Sequence, residues 1–599
     1  MSSILPAAEA LYFAGKLAEA QALLRRHLQR SPRDHAAAFC LANILLEEVH
    51  LDQAAFYLKA AIRDSGGTLP AYWQALAKVQ AESTQLPEAV ASARRAVDLA
   101  PASADAHAAL GDVLVRTGAF AEAARAFERA IQIEPNHRVA HVHLADLPLV
   151  MGDPETAAAR AEKTALATVG DPNHFLQCAT AAVFSVYAGD CTMDEVYRRH
   201  ARVGAVLAKM PPPAPGPLTN APDPERPLRM AFLSPDFIQH SCAYFVETLL
   251  DHLDRARFAP VALFASRTSD HVTKRLRTKF ASWHDLPTPT DTQVQAILRS
   301  EKIDIAIDLA GYTVASILWP LRARLAPVQV SWLGYPCTTA IPTVDARFVD
   351  SLTDPTPRSD TRHTERLIRL DPCFICYRPP IGPTDPGCPA VSPMPGLAPS
   401  SPFTLGSFNL LGKLSGRTKD LWARILREVP GTRLVLKDAA LEHEEARAFI
   451  LSEFVRRGID AGRIDLLAKT KTRDEHLALY SRIDLALDPF PYNGTTTTCE
   501  AMFMGVPPVS LVGPPGLHAG RVGLSLLSAV GLQDHCAATE DGCLSLVARL
   551  AANRPALAAL RSQMRLRLLA SPLCDGPGYT RRFEGALRGL WREWCAQHG

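Results

Sequence analysis

This 599-residue chain has little of several features that would quickly assign it to a class. Its formal net charge is only +2, so no excess of one sign points to nucleic acid or to an anionic membrane as a partner. No run of about 18 apolar residues suggests a membrane span, and the N-terminus lacks the basic and apolar regions of a secretory signal. We therefore expect a cytoplasmic protein that has neither nucleic acid nor a membrane as a partner.

Cysteine occurs 13 times, but without the paired spacing of a disulfide framework. In a chain without an export signal, scattered cysteines are expected to be reduced thiols. Cys373 and Cys376 form a lone CxxC motif, whereas a structural zinc site needs four ligands. We predict two buried thiols on a strand and no metal site.

Nucleotide-binding motifs of the common kinds are also missing. The chain has no GxGxxG motif after its first predicted strand and no GxxxxGK[ST] motif, which argues against NAD-type and P-loop sites. A content of 47% hydrophobic and 21% charged residues is typical of a soluble globular protein, and the length predicts several domains.

The first third of the chain repeats itself every 34 residues. Within the best unit, about 104–137, small residues at Gly111, Ala123 and Ala130 would let two antiparallel helices approach closely, and Pro135 would end the second helix. Further units are visible at 1–34 (with Leu11, Gly15, Ala20, Leu24 and Pro32), at 35–69 and, in degenerate form, at 138–171. The pattern resembles the tetratricopeptide repeat (TPR) and predicts an α-helical solenoid over 1–171. Such arrays offer a groove for a protein partner; the alternative is a packing module that forms a homo-oligomer.

The remainder of the chain predicts a helical connector, a linker and two α/β domains. The connector and a proline-rich linker (Pro211–Pro217) occupy 172–225. Beyond it, short apolar strands alternate with amphipathic helices, which favours parallel, doubly wound sheets. A second proline-rich linker, 386–402, divides this region into Rossmann-like domains at 226–385 and 403–599, with a ligand cleft at the carboxyl ends of the strands.

The most informative segment is Asp488–Glu500, which contains Asn493, Gly494 and four consecutive threonines. It follows an apolar strand and leads into a helix that begins near Thr497. Free N–H groups at such a helix start form an anion site, and Glu500, about one turn into the helix, is placed to reach a sugar hydroxyl. The segment suits a nucleoside diphosphate; the alternative is an ordinary turn whose threonines cap the helix.

Other polar residues follow predicted strands in the same way. His240 lies in a Ser-Pro-Asp-Phe segment after the first strand and is a candidate hydrogen-bond partner or proton acceptor. Lys413 precedes a helix and is a candidate for neutralising a diphosphate. Arg473 is a candidate for a phosphate or ribose contact, and His476 for stacking on a base. Each also admits an ordinary role, as a structural histidine, a surface lysine or a charged helix start.

Together these motifs resemble the O-GlcNAc transferase/SPINDLY family of TPR-linked protein O-glycosyltransferases, glycosyltransferase family 41. The resemblance also includes the segments Arg324–Pro336, Asp420–Arg427 and Phe503–Pro507 and spans nearly the whole chain. Several motifs, among them the Thr-Thr-Thr-Thr-Cys-Glu run, look closer to the SPINDLY branch.

The resemblance implies an inverting GT-B enzyme that needs no metal or other cofactor. It would move a sugar from a nucleotide donor to Ser or Thr of an acceptor protein bound along the TPR groove. UDP-GlcNAc is the first expected donor, GDP-fucose the second and a CMP-nonulosonate the third. The rival interpretation from another class is a non-catalytic TPR scaffold.

By motif position, the resemblance also implies a role for each candidate residue. Catalysis would fall to Lys413, which holds the diphosphate, and to His240, near the anomeric carbon. Donor binding would involve Arg473 near the ribose, His476 on the base, Thr496 and Thr497 at the phosphates, Glu500 on the ribose, and the Asn493-Gly494 turn.

The chain departs from the family pattern at several positions. Leu410 stands where an amide-bearing residue is usual, and Cys337 replaces a glycine after Gly-Tyr-Pro. Arg473 replaces a lysine and Glu500 an aspartate. The first two departures bear on the identity of the donor and on the rate.

Overall fold

The structure is a computed structural model that describes residues 4–13, 16–171, 174–211, 216–313 and 318–599. Gly15 of the first predicted repeat and residues 212–215 of the predicted linker lie outside the described residues. In the described ranges no single helix has the length and apolarity to cross a membrane, although one pair, Glu540–Ala552 and Arg554–Leu569, bent by 93°, meets those criteria jointly.

Residues 1–147, with 443–445, form one compact unit, and the rest of the chain forms a second. The N-terminal third is made of helices, and the first eight pack against each other in consecutive pairs. They are α1 (Ile4–Phe13), α2 (Leu17–Arg30), α3 (His35–Glu47), α4 (Leu51–Asp64), α5 (Pro70–Glu82), α6 (Leu86–Leu99), α7 (Ala104–Thr117), α8 (Phe120–Ile133), α9 (Arg138–Met151) and α10 (Pro154–Ala167). This is the helical repeat array that the 34-residue period predicts.

The pair formed by α7 and α8 shows why the period selects small residues. A Cβ atom on Gly111 would lie 2.6 Å from the ring of Phe127, which is fully buried. Ala123 and Ala130 are also fully buried. The two helices therefore approach each other closely at positions that carry only a glycine hydrogen or an alanine methyl group, as the sequence pattern predicts.

The second unit continues with two helices and a seven-stranded sheet. The helices are α11 (His174–Ser185) and α12 (Met193–Leu207). The strands are β1 (Leu228–Ser234), β2 (Phe258–Phe264), β3 (Ser282–Asp285), β4 (Ile305–Asp308), β5 (Val328–Ser331), β6 (Ala346–Val349) and β7 (Arg366–Arg369). All pair in parallel, in the order β3-β2-β1-β4-β5-β6-β7.

A six-stranded sheet forms the second α/β domain. Its strands are β8 (Phe403–Ser407), β9 (Thr432–Lys437), β10 (Ile464–Leu467), β11 (Leu485–Leu487), β12 (Pro508–Leu511) and β13 (Cys536–Ala537), parallel in the order β10-β9-β8-β11-β12-β13. Two Rossmann-like sheets in one unit are the GT-B arrangement, so the predicted fold class is confirmed.

Helices connect the strands of both sheets. They are α13 (Ser241–His252), α14 (His271–Arg277), α15 (Asp291–Ser300), α16 (Gly416–Glu428), α17 (Glu444–Arg456), α18 (Arg473–Ala478), α19 (Thr496–Phe503), α20 (Val522–Ala529), α21 (Glu540–Ala552), α22 (Arg554–Leu569) and α23 (Gly576–His598).

The predicted boundary of 403–599 for the second α/β domain needs correction at α23. Phe583, Leu587 and Trp591 on this helix are buried in the core of the first sheet, against Trp332. The helix therefore belongs to the first α/β domain, because its apolar face completes that core.

Four strands were not anticipated from the sequence: β3, β6, β7 and β13 have only two to four residues each. Cys373 and Cys376 are buried as expected, but they lie in irregular structure rather than on a strand. Short segments without regular alternation give too weak a pattern to separate strand from loop.

The close approach of α7 and α8 predicts that Gly111→Ala destabilises the repeat array. Overpacking of this kind costs about 1–3 kcal/mol, because the buried Phe127 ring cannot move away freely. We expect a lower melting temperature by scanning calorimetry. The matched control is Gly585→Ala on α23, where nothing lies within 4 Å of the added methyl group; it should not lower the melting temperature, since alanine favours a helix over glycine. Equal effects at both positions would contradict the packing argument.

Candidate active site

A cavity of about 640 Å³ opens where the carboxyl ends of both sheets face each other. In each sheet the chain reverses direction of winding between two central strands, β1 and β4 in the first and β8 and β11 in the second. Loops that leave neighbouring strands at such switch points diverge and form a ligand crevice. The cavity is lined by residues of these loops, including His240, Thr313, Asn409, Lys413 and Thr496.

The start of α19 forms one wall of the cavity. The N–H of Cys499 donates to the carbonyl of Thr495 at 3.1 Å and opens the helical hydrogen-bond ladder. The N–H groups of Thr496 and Thr497 precede that bond and have no acceptor within the helix. The Thr496 side chain is 8% exposed, and its Oγ1 has no hydrogen-bond partner among the described residues. A buried hydroxyl beside free N–H groups can serve an anion.

Lys413 lies across the cavity from this helix start. It belongs to a short 3-10 turn after β8, and its Nζ donates to the backbone carbonyl of Asn493 at 2.8 Å. The ammonium also sits 4.0 Å from the centre of the Tyr492 ring. Burial lowers the pKa of Lys413 to about 8, although the nearby carboxylate of Asp488 opposes the shift. The lysine is held in the anion loop rather than exposed on the surface.

Asp488 organises the loop from behind. Its carboxylate accepts the N–H of Gly494 at 2.6 Å and the hydroxyl of Ser510 at 2.8 Å, and burial raises its pKa. Gly494 has no room for a side chain, because a Cβ there would lie 2.5 Å from Oγ1 of Thr497. The fixed loop in turn presents the Asn493 carbonyl to Lys413.

Glu500 joins two of the other candidates. It is 1% exposed, and its carboxylate pairs with the guanidinium of Arg473 and, at 3.0 Å, with Nε2 of His476. The Arg473 guanidinium also lies 5.0 Å from the centre of the Tyr244 ring, which belongs to the first domain. The three residues therefore form one cluster in which the charge of Glu500 is neutralised by Arg473.

His240 reaches the cavity from the first domain. It is the N-cap of α13, where Nδ1 accepts the N–H of Cys242 at 3.3 Å. Oδ1 of Asp236 is 3.6 Å from the same nitrogen, too far for a hydrogen bond. A neutral imidazole that accepts at Nδ1 carries its proton on Nε2. In this arrangement His240 offers a donor at Nε2 rather than a base.

The predicted residues fall into two groups. His240, Lys413, Thr496 and Thr497 line the cavity. The others lie behind its wall: Arg473, His476, Glu500, Asn493 and Gly494. The Asn493 side chain is fully buried, and its amide donates to the carbonyl of Pro489 and accepts from the N–H of Gly523. It shapes the turn and takes no place in the cavity lining.

Sequence reasoning missed several residues of the cavity wall. Lys437 ends β9, Asp438 follows it, and both line the cavity, so the rule that ligands lie at strand ends would have found them. Tyr187 also lines the cavity and packs against the Tyr492 ring at 4.7 Å. It comes from the segment between α11 and α12, and no motif marks it.

The two departures expected to bear on the donor, Leu410 and Cys337, lie in different places. Leu410 is 61% exposed and lines the cavity, so it is in position to face a ligand. Cys337 packs with Val186, Val196 and Ala519 in a small apolar cluster outside the cavity lining. Of the two, only Leu410 stands where a donor contact would be made.

Comparison with known proteins places this fold and cavity in a family. The family model for glycosyl transferase family 41 matches residues 206–377 and 397–583, more than half of the chain. Models of the tetratricopeptide repeat match 5–68, 75–137 and 114–175. The chain belongs to glycosyl transferase family 41, and the resemblance drawn from the motifs is confirmed.

Two relatives from Arabidopsis thaliana show which branch is more similar. The probable UDP-N-acetylglucosamine–peptide N-acetylglucosaminyltransferase SPINDLY is 40% identical over 380 residues, 63% of this chain and 41% of the relative. The probable enzyme of the same kind called SEC is 26% identical over 380 residues, 62% of this chain and 38% of the relative. The chain thus spans about two fifths of the length of these curated relatives.

A solved structure matches over a longer range. A mutant of the Thermobaculum terrenum O-GlcNAc transferase superposes with a TM-score of 0.77 at 28% identity, covering 88% of this chain and 99% of that one. The matched part of this chain is longer than the two α/β domains together, so the match extends into the repeats.

The Glu500 cluster predicts a stability effect. In Glu500→Gln the Arg473 guanidinium loses its buried countercharge, and we expect the free energy of unfolding to fall by about 2 kcal/mol, measured by urea denaturation. The control is Glu593→Gln, whose partner Arg366 is half exposed; its change should stay within about 0.5 kcal/mol. An unaltered Glu500→Gln protein would show that the pair contributes nothing to the fold.

Proposed function

We propose that the protein is a protein O-glycosyltransferase that transfers GlcNAc from UDP-GlcNAc to Ser or Thr of an acceptor protein, with inversion and without a metal. The observation that carries this proposal is the anion site at the switch point of the second sheet, where Lys413 and the start of α19 face one cavity. Membership of family 41 and the names of the relatives support the donor and the class of acceptor.

The donor diphosphate would lie between Lys413 and α19. The free N–H groups of Thr496 and Thr497, the Thr496 hydroxyl and the ammonium supply positive potential where negative charge grows as the sugar leaves. A fixed lysine and helix terminus stabilise that charge in the role that a divalent cation plays elsewhere. This donor set is the reason for expecting a reaction that needs no metal.

The nucleoside would extend towards the Glu500 cluster. Glu500, which lies behind the cavity wall, would accept from ribose hydroxyls that reach past this wall, and Arg473 would hold its carboxylate in position. His476 sits 6.0 Å from the Phe408 ring, and that ring lines the cavity and offers a flat surface to a base. Lys437 is 8% exposed and lines the cavity near Glu500, so we add it to the donor-binding residues.

The acceptor would enter from the side of His240. In a single displacement, the acceptor oxygen bonds to the anomeric carbon as the bond from that carbon to the diphosphate oxygen breaks, which inverts the configuration. The nucleoside diphosphate departs with the electrons of the broken bond, and the hydroxyl proton passes to solvent. The Nε2–H of His240 is placed to donate a hydrogen bond on this side of the cavity, which makes His240 an orienting group.

The repeats would bind the acceptor protein. Stacked TPR helices present an extended concave surface that can hold a polypeptide segment. This assignment rests on the repeat array itself, and it leaves the identity of the acceptor to experiment.

The first test is a donor screen with Lys413→Ala. The purified chain, with a chelator and no added metal, is offered UDP-GlcNAc, GDP-fucose and a CMP-nonulosonate, and thermal stabilisation and released nucleotide are measured. We expect UDP-GlcNAc to stabilise the wild type and to be turned over. Lys413→Ala should lose the stabilisation, and turnover should fall at least about a hundredfold, the scale of removing one charge contact to the transition state.

The matched control is Lys471→Ala, which removes a surface lysine and should behave as the wild type. Stabilisation by another donor would reassign the sugar. Stabilisation by none of them would favour a scaffold whose function depends on the repeats.

The second test is the pH dependence of donor binding. Because the fold lowers the pKa of Lys413 to about 8, the ammonium is present below that pH and is lost as pH rises through it. Affinity for the donor should therefore fall above about pH 8, by up to tenfold per pH unit, in calorimetric titrations between pH 7 and 9. Lys413→Arg keeps its charge throughout and should show a flat profile. Parallel profiles for the two proteins would exclude Lys413 as the titrating group.

A further inference from the structure

Three metal-ligating side chains meet on the His240 side of the cavity. They are Asp236, His240 and Cys242, from the loop after β1 and the start of α13, and Asp236 is fixed there because its N–H donates to Oγ of Ser234 at 3.0 Å. One carboxylate oxygen, one imidazole nitrogen and the thiol sulfur all lie within 4.8 Å of one another. In the described part of the chain, no other group of three His, Cys, Asp or Glu side chains meets this criterion.

The distances are close to those around a tetrahedral metal ion. Nδ1 of His240 is 3.6 Å from Oδ1 of Asp236, and Sγ of Cys242 is 3.9 Å from its Oδ2. Zinc bonds of about 2.0 Å to nitrogen and oxygen and about 2.3 Å to sulfur would place these pairs about 3.3 and 3.5 Å apart. The two distances go to different oxygens of Asp236, so one ion would need a rotation of this carboxylate as well as a closure of each pair by a few tenths of an ångström. The ion would replace the long 3.3 Å hydrogen bond between Nδ1 and the Cys242 N–H.

The chemistry of the ligands selects a particular class of ion. A thiolate and an imidazole favour zinc and its neighbours over magnesium or calcium, which prefer oxygen ligands. Among the described residues, the carboxylate of Asp236 has no lysine or arginine within ion-pair distance, and His240 is its one ion-pair partner. A cation would therefore satisfy a carboxylate that the fold leaves without a fixed positive charge.

We propose that Asp236, His240 and Cys242 form a binding site for a zinc-class ion, with a fourth position open to the cavity, and that the bound ion inhibits the enzyme. On binding, the thiol of Cys242 releases its proton to solvent as the bond from sulfur to the metal forms. The ion and the group at its open position occupy the acceptor side of the cavity and so exclude the acceptor from it. The metal site stands by itself, whereas the inhibition rests on the proposed function.

The test uses Co²⁺ as a spectroscopic probe. Tag-free, reduced full-length chain, freed of metal with a chelator that is then removed, is titrated with Co²⁺. We expect one equivalent to produce the absorption of tetrahedral cobalt together with a thiolate-to-cobalt charge-transfer band, and Zn²⁺ to displace it. Cys242→Ser should abolish the charge-transfer band. Asp236→Asn keeps the thiol and should weaken Co²⁺ binding at least about tenfold. This is the smallest loss of metal affinity typical for a residue that only supports a ligand, and Asp236 is itself a ligand in the proposed site.

The control is Cys536→Ser, which removes a partly buried thiol away from the cluster and should leave the spectrum unchanged. A wild type without the charge-transfer band, or a Cys242→Ser protein that retains it, would overturn the proposal. If Cys242→Ser does not fold, as judged by its thermal unfolding, Asp236→Asn carries the test, and an unchanged affinity for Co²⁺ would be decisive against the site.

The inhibition is measured separately, as donor turnover against Zn²⁺ concentration. The wild type should lose turnover over the range of Zn²⁺ concentrations at which Zn²⁺ displaced Co²⁺ in the titration. Cys242→Ser should keep the rate that it shows without metal. A chain that binds Co²⁺ through Cys242 but turns over no donor would refute the transferase function and leave the metal site standing. Turnover in the wild type that persists at full Zn²⁺ occupancy would refute the inhibition alone.

Discussion

The buried carboxylate of Asp488 is the constraint on which the rest of the candidate site depends. It holds the N–H of Gly494 and the hydroxyl of Ser510, and it is the negative charge closest to Lys413. A buried carboxylate is costly unless its hydrogen bonds and charge are satisfied. Here Gly494 lies in the loop, Ser510 on β12 and Lys413 in the turn after β8, so one carboxylate ties the loop to two neighbouring segments. The loop is therefore fixed before any ligand arrives, which lets the start of α19 act as a preorganised anion site.

The same reasoning explains why each of the two cations of the site has a carboxylate nearby. Lys413 faces Asp488, and Arg473 faces Glu500. A site with two buried cations and no countercharge would be expensive to fold. The carboxylates compensate those cations while leaving the Thr496 hydroxyl and the adjoining N–H groups unpaired, so the unsatisfied positive potential is concentrated at one point of the cavity.

Much of the site could be predicted because its residues stand next to strands that are plain in the sequence. Lys413 and the four threonines follow the apolar segments 403–408 and 483–487, and parallel strands bring such loops to one edge. The sequence could not show that Asn493 turns inward, since a buried amide and an exposed one look alike in a motif. Nor could it reveal that α23 completes the first domain or that Tyr187 reaches the cavity, because both depend on packing between segments far apart in the chain.

Leu410 limits how selectively this part of the cavity could bind the proposed donor. An amide at this position would discriminate by hydrogen bonds, and a site built on such bonds can reject a wrong partner by several orders of magnitude. The exposed Leu410 side chain can select only by burial of apolar surface, worth about 1–3 kcal/mol for a methylene group. Under the proposed function, recognition of the donor would therefore fall to Lys437 in the cavity and to the Glu500 cluster behind its wall, and it would act through the nucleoside rather than through the sugar.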